Sequence, residues 1–217
     1  MYKKNTLVHI LNSPFGKMTN SDINYIAVVA EKNKITASEA QSAIISNLTL
    51  NENWDFEKAE NLVSLTKELC SEKKHSTFDR VLRFPSDESL RELKHYLSLA
   101  CCTIKVCMYT FTSRILMNWL MDAKKRGVEI KLITDKESLS SLYIHEMAAS
   151  GIKCTHHNLS SHAKMHHKFC IIDDYIFING SLNWTAKGIK QNHENVMVTG
   201  SQVFISQFNA EFAELWK

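Results

Sequence analysis

The chain has 217 residues, of which 44% are hydrophobic and 23% are charged, with a formal net charge of +3 and a pI near 8.5. This composition is ordinary for a soluble globular protein, and no stretch approaches the roughly 18 apolar residues that a membrane span needs, so a transmembrane segment is excluded. The mildly basic charge permits nucleic acid or anionic lipid as a partner and requires neither.

Residues 1–75 predict a small N-terminal helical module. Apolar residues recur at steps of three and four in three stretches, which begin near Ser21, Thr36 and Asp55. The module carries nine basic and nine acidic residues, so its net charge is zero. Such helices fit a DNA-binding helix-turn-helix, and they fit a packing or dimerisation module equally well, so the sequence leaves the role of the module open.

Residues 76–217 alternate between strand and helix patterns and predict a second domain. Strands are predicted at 80–84, 101–111, 128–134, 152–155, 168–173, 175–179 and 195–199. Helices are predicted after Ser86, after Ser113, over 137–150 and over 202–216. The alternation predicts an α/β/α sandwich, in which a mixed, mainly parallel sheet has helices on both faces.

The cysteines and the first residues of the chain are used to predict the cellular compartment. The six cysteines form no C-x-x-C pair and lie mostly in apolar runs, which indicates buried, reduced thiols. Cysteine and histidine spacing does not supply four zinc ligands, so a zinc site is not predicted. No other cofactor is predicted. Residues 1–18 contain two early lysines and a short apolar run but no adequate signal-peptide core. We therefore expect a cytoplasmic protein.

One stretch, from Met165 to Asn195, concentrates ionisable and amide side chains around two short apolar strands. His166, Lys168 and Asp173 stand in the pattern H-x-K-x-x-x-x-D. Four further polar or small residues follow at short offsets: Gly180, Ser181, Asn183 and Glu194. Because His166 and Lys168 are two residues apart, their side chains point to the same face of an extended strand, where both can bind one phosphate. A glycine after the second strand lets the backbone approach a ligand closely.

These residue types suit attack on a phosphodiester. Lys168 and Asn183 would neutralise and hydrogen-bond the non-bridging oxygens as charge builds in the transition state. A neutral imidazole from His166 can attack phosphorus and form a covalent phosphohistidine. Its other ring nitrogen needs an acceptor, and Glu194 is the acidic candidate. Asp173 is expected to brace Lys168 and the turn.

The pattern of His166, Lys168, Asp173, Gly180, Ser181 and Asn183 resembles the HKD signature of the phospholipase D superfamily. The longer string, MHHKF, then GSLNWT, then ENV, is similar to the single-motif branch that contains the bacterial Nuc endonuclease and the Zucchini, or mitochondrial cardiolipin hydrolase, proteins. The similarity extends from about Arg80 to the C-terminus.

This resemblance implies a homodimer with a composite active site, to which each subunit supplies one motif. His166 would be the nucleophile in one subunit and the general acid in the other. The resemblance also implies that Lys168 and Asn183 bind phosphate, that Ser181 lies beside them, that Glu194 orients His166 and that catalysis uses no metal. The catalytic residues predicted on these grounds are His166, Lys168, Asp173 and Glu194. The predicted phosphate-binding residues are Lys168, Ser181 and Asn183.

The loop before the motif, residues 156–167, is rich in histidine. Histidines in a polar loop beside an anion site contact phosphate or solvent more often than metal. Three lysines could line an approach path for a polyanion, and as surface lysines they could equally serve solubility: Lys164, Lys187 and Lys190.

Three functions are compatible with these features. The first is a metal-independent endonuclease acting on single-stranded nucleic acid or without sequence preference. The second is a phospholipase D-type hydrolase of cardiolipin or another phospholipid, which needs the same phosphate chemistry. The third is a non-catalytic nucleic-acid-binding module, which the intact set of motif residues disfavours.

Overall fold

The structure, a computed structural model, describes residues 78–156 and 163–217. The chain separates into two units, Met1–Ser76 and Thr77–Lys217, and the described residues belong to the second. The helical module predicted for residues 1–75 lies outside the described residues. Its boundary with the second domain, between residues 75 and 76, stays a prediction.

Seven strands form one sheet in the order β1-β7-β6-β5-β2-β3-β4. Their bounds in chain order are β1 Asp79–Phe84, β2 Thr103–Met108, β3 Glu129–Thr134, β4 Lys153–His156, β5 Lys168–Ile172, β6 Ile176–Gly180 and β7 Glu194–Thr199. The strand β2 pairs in parallel with β3, and β3 with β4, whereas the other four pairings are antiparallel.

The α/β class and the mixed sheet are confirmed, but the expectation of a mainly parallel sheet is wrong. Only the strands joined through crossover helices are parallel. The motif strands β5 and β6 are instead joined by Asp173, Asp174 and Tyr175, and the two aspartates have φ angles of 53° and 55°. Two successive residues with positive φ form the tight turn of an antiparallel hairpin. The sequence places Asp-Asp at this turn, a weaker signal than Asn-Gly or Asp-Gly.

Six helices complete the described domain: α1 Asp87–Leu99, α2 Arg114–Lys125, α3 Lys136–Leu139, α4 Leu142–Ala149, α5 Ala186–Lys190 and α6 Gln202–Leu215. The predicted caps are present, because the side chains of Ser86 and Ser113 accept hydrogen bonds from the first turns of α1 and α2. The single helix predicted over 137–150 is wrong. Ser141 caps a new helix there, α4, by accepting a hydrogen bond from the Ile144 amide.

The sheet has a packed layer on each face. On one face, Cys107, Ile133 and Phe169 form a core with Ile205 and Phe212 of α6. The alternate residues of β2 are also fully buried and point to the opposite face, where α1 and α2 contact each other and neighbouring strands. Burial of a Leu or Phe side chain stabilises the fold by about 2–3 kcal/mol. The predicted sandwich of three layers is therefore confirmed.

The strand pairings bring four chain segments to one edge of the sheet. The end of β2 lies beside the start of β5, because Met108 pairs with Lys168. The end of β6 lies beside the start of β7, because Gly180 pairs with Val196. This edge carries the polar residues of the motif.

Candidate active site

His166 and Lys168 lie together at the start of β5. The Lys168 Nζ atom is 3.1 Å from His166 Nδ1 and donates a hydrogen bond of 2.9 Å to the His166 carbonyl oxygen. Because an ammonium group can only donate, Nδ1 accepts this contact, and the proton of the neutral imidazole is then on Nε2. The His166 side chain is exposed. A ligand at this edge of the sheet can therefore reach both groups.

Burial lowers the pKa of Lys168 below its ordinary value, and the negative charge of Glu194 partly opposes this shift. Desolvation disfavours the ammonium form, because water no longer stabilises its charge fully. A bound phosphate would supply the missing negative charge. The environment of Lys168 therefore favours an anionic ligand.

Glu194 and Ser181 lie at the paired ends of β7 and β6. The Ser181 hydroxyl donates a short hydrogen bond to Glu194 Oε2, and Asn192 Nδ2 donates to Glu194 Oε1 at 3.1 Å. The Asn195 amide in turn donates to Ser181 Oγ at 3.1 Å. Within the described residues Glu194 makes no hydrogen bond to His166. The expectation that Glu194 orients His166 stays a prediction, because the composite site needs a second chain and each carboxylate oxygen can accept a further hydrogen bond.

Gly180 serves strand packing rather than ligand approach. A Cβ atom at this position would lie 2.1 Å from the Asn195 carbonyl oxygen and 2.8 Å from Val196 Cα. The absence of a side chain therefore allows the backbone of β7 to pass close to β6. The expectation that Gly180 admits a ligand is wrong for this reason.

Asn183 lies three residues after the end of β6. Its Oδ1 atom is buried, and it accepts no hydrogen bond from any residue in the described ranges. Its backbone carbonyl accepts a hydrogen bond of 2.8 Å from the Thr185 amide, just before α5. A buried amide oxygen without a donor is unfavourable, so this side chain gains most when a donor group arrives.

Asp173 lies at the other end of β5. Its carboxylate accepts hydrogen bonds from the backbone amides of Cys101, Cys102 and Thr103, at 2.8, 2.9 and 2.6 Å. Seven steps of extended chain, about 23 Å, separate it from His166, with the whole of β5 between them. The prediction of Asp173 as a catalytic residue that braces Lys168 is therefore wrong. The carboxylate holds the connection between α1 and β2.

Tyr109 is a site residue that the sequence analysis missed. Its ring centroid is 4.4 Å from that of His166, and Lys168 Nζ is 5.3 Å from the Tyr109 centroid. The Tyr109 amide donates to the His167 carbonyl at 2.8 Å, which extends the pairing of β2 with β5 by one step. No pattern in the sequence marked it, because its contact with His166 depends on the pairing of β2 with β5.

The predicted approach lysines are all exposed. Lys164 lies beside Tyr109, whereas Lys187 and Lys190 are on α5.

Five cysteines, at 101, 102, 107, 154 and 170, are free thiols, of which Cys107 and Cys170 are buried. Burial raises the pKa of the Cys107 thiol to about 12, with a smaller contribution from Glu211. These two buried thiols are therefore protonated and unreactive.

The family model described as "Cardiolipin synthase, PLD-like domain" matches residues 93–216. A zebrafish (Danio rerio) protein named mitochondrial cardiolipin hydrolase is 31% identical over 147 residues, which cover 66% of this chain and 64% of that protein. The mouse (Mus musculus) protein of the same name is 33% identical over 134 residues, which cover 61% and 60%. The chain thus spans less than two thirds of the length of these curated relatives.

Two solved structures share the fold. Nuc from Salmonella typhimurium, a phospholipase D family member, has a TM-score of 0.58 and 26% identity, with coverage of 65% of this chain and 95% of that one. NucT from Helicobacter pylori has a TM-score of 0.59 and 22% identity, with coverage of 65% and 96%.

The relatives also correct the expected location. The prediction of a cytoplasmic protein is contradicted by their names, which assign them to mitochondria. That prediction depended on the lack of a recognisable leader in residues 1–18, and such a lack does not determine location. In the described part of the chain, no helix combines the length and apolar character of a membrane span.

The match to the family model covers more than half of the chain, and the resemblance inferred from the motif is confirmed. The chain therefore belongs to the phospholipase D-like family.

Proposed function

We propose that this protein is a phosphodiesterase that acts without a metal, through a phosphohistidine intermediate, and that its substrate is nucleic acid, cut internally and without strong sequence preference. The observation that carries the proposal is the contact of 3.1 Å between Lys168 Nζ and the ring of His166. It joins a nucleophile and a phosphate-binding cation at one exposed edge of the sheet.

The first step begins when the phosphodiester binds Lys168. The anion competes with His166 for the ammonium protons, and this leaves a ring nitrogen of the neutral imidazole available for attack. A nitrogen–phosphorus bond forms, the bond from phosphorus to the leaving oxygen breaks, and that oxygen takes a proton from a general acid. Water then attacks phosphorus, releases the histidine and returns a proton to the acid, which now acts as a base.

The general acid is proposed to come from a second subunit. Within residues 78–156 and 163–217, no other histidine contacts His166 through a hydrogen bond or ring stacking. A two-fold axis beside the motif would bring a second His166 to the same phosphate. It could also bring a donor to the buried Oδ1 atom of Asn183.

We expect light scattering to give twice the chain mass of 24.9 kDa. If each site needs both copies of His166, random pairing of equal amounts of wild-type and His166→Asn chains should leave about a quarter of the activity, because only dimers of two wild-type chains are active. Independent sites would leave half. An active monomer would contradict the composite site.

Nucleic acid is favoured as the substrate by the groups around His166. The centroid of the Tyr109 ring is 4.4 Å from that of His166. The Nζ atoms of Lys168 and Lys164 are 5.3 and 5.8 Å from the Tyr109 centroid. Stacking platforms combined with cations are typical of sites for single-stranded nucleic acid. A phospholipid is the second candidate, because the curated relatives are named mitochondrial cardiolipin hydrolase.

A parallel assay in EDTA tests the proposal. We expect the protein to cleave single-stranded RNA or DNA oligonucleotides faster than duplex DNA, and much faster than cardiolipin in vesicles. Hydrolysis of cardiolipin without cleavage of any oligonucleotide would show that the protein is a phospholipase and not a nuclease. Activity that EDTA abolishes and Mg²⁺ restores would contradict the metal-independent mechanism.

A further inference from the structure

Two ammonium groups share the ring of Tyr109. The Nζ atoms of Lys168 and Lys164 are 5.3 and 5.8 Å from its centroid. Lys168 is already assigned to the scissile phosphate, because it contacts His166. Lys164 has no such contact and donates instead to the Tyr109 hydroxyl, at 3.4 Å. The ring therefore has a catalytic cation on one side and a second, independent cation nearby.

Tyr109 is held firmly by its backbone. Its amide donates to the His167 carbonyl at 2.8 Å, and its carbonyl accepts from the hydroxyls of Thr134 and Ser138 at 3.3 and 3.2 Å. These bonds attach it to β3 and α3 as well as to the motif segment. A backbone fixed in this way places the Tyr109 ring beside His166, and binding at this position costs little ordering of the main chain.

The present partner of Lys164 is easily replaced. Its Nζ atom donates to Glu137 Oε1 at 3.1 Å, but both side chains are largely exposed. An exposed ion pair of this kind contributes little to stability and is screened by salt. Hydrogen bonds to Glu137 and then to Tyr109 raise the pKa of Lys164, so it remains a cation at neutral pH. A phosphate of the substrate can therefore take the place of the Glu137 carboxylate.

We propose that Lys164 and Tyr109 form a second phosphate subsite, which binds the phosphate adjacent to the scissile one on a single nucleic acid strand. The Tyr109 ring would support the nucleoside between the two phosphates. This inference depends on the proposed nuclease function and adds a substrate requirement to it, since a phosphodiester without a neighbouring phosphate would not use Lys164. Glu137 acts as a competitor for the same cation.

The test compares a single-stranded oligonucleotide with bis(p-nitrophenyl) phosphate, which has one phosphodiester only. The preference is the kcat/KM for the oligonucleotide divided by the kcat/KM for bis(p-nitrophenyl) phosphate. Lys164→Ala should lower this preference by about five- to tenfold. It should also reduce the slope of log KM against log salt by about 0.7, the value for one contact to a single strand. Glu137→Gln should act in the opposite direction and lower KM for the oligonucleotide.

The control is the exposed pair of Lys125 and Asp122, whose Nζ to Oδ1 distance is 3.0 Å. Because α2 starts after β2 and runs back along the sheet, its last residues lie at the edge opposite Tyr109. Lys125→Ala and Asp122→Asn make the same charge changes and should leave the preference unaltered. An unchanged preference and salt slope in Lys164→Ala, or an equal change in Lys125→Ala, would overturn the subsite.

Binding without turnover separates this proposal from the proposed function. In the His166→Asn background, fluorescence anisotropy should show weaker oligonucleotide binding when Lys164 is also replaced, even if the wild-type protein proves not to cut that strand. The same affinity in both variants would overturn the subsite and leave the phosphodiesterase proposal intact. A Lys164 effect seen only with cardiolipin vesicles would also overturn it, because the second phosphate would then belong to a lipid.

Discussion

His166→Asn is expected to lower kcat for every phosphodiester substrate by at least about 10³-fold, because removal of a covalent nucleophile leaves only binding and charge stabilisation. Asparagine keeps a polar side chain of similar reach but has no nitrogen lone pair able to attack phosphorus. The site is exposed, so the midpoint of thermal unfolding should stay close to that of the wild type. Initial rates on an oligonucleotide, together with circular dichroism melting, measure both quantities.

A matched control is available on α4. His145 is exposed, and its Nδ1 atom lies 3.0 Å from the Ser141 carbonyl oxygen. His145→Asn makes the same chemical change without touching the motif and should retain full activity. If His145→Asn and His166→Asn had equal rates, the proposed mechanism would be lost.

The covalent intermediate itself can be detected. Phosphohistidine is stable in base and labile in acid, so an alkaline quench during turnover should give wild-type protein that carries the added mass of the oligonucleotide fragment still esterified to phosphorus. The adduct should be absent from His166→Asn. A productive wild-type enzyme that never carries the adduct, under conditions where the second step is slowed by low temperature, would favour direct attack by water.

The sequence predicted the fold and the centre of the site because both depend on local patterns. Apolar alternation identified the strands, and serines before helical patterns identified the starts of α1 and α2. The spacing of His166 and Lys168 predicted their juxtaposition, since a period of two on an extended segment turns both to one side. These features need no knowledge of which strands pair.

The errors came from contacts between distant parts of the chain. The three amides bound by Asp173 are 70 to 72 residues away in sequence, so spacing within the motif could not reveal them. Tyr109 reaches His166 only because β2 pairs with β5 across the centre of the sheet. The sheet direction was wrong for a different, local reason, because an Asp-Asp pair with positive φ at both positions is a weak sequence signal for a hairpin.

Asp173→Asn is expected to lower the free energy of unfolding by about 2–4 kcal/mol, because part of a buried, charge-assisted set of three hydrogen bonds is lost. The asparagine amide offers one acceptor oxygen, and its NH₂ group would face backbone N–H donors. Asparagine tolerates the φ angle of 53° as aspartate does, so the substitution isolates the hydrogen bonds from backbone strain. The midpoint of thermal unfolding should fall by roughly 5–15 °C.

The neighbouring residue provides the control for this change. Asp174 has nearly the same backbone conformation, with φ of 55°, but its side chain is 45% exposed and binds Lys105 at 2.8 Å. Asp174→Asn should therefore cost no more than about 1 kcal/mol. Below its melting temperature, Asp173→Asn should still cleave the oligonucleotide, because the carboxylate lies at the opposite end of β5 from His166. A variant with intact stability and lost activity would instead return Asp173 to the catalytic machinery.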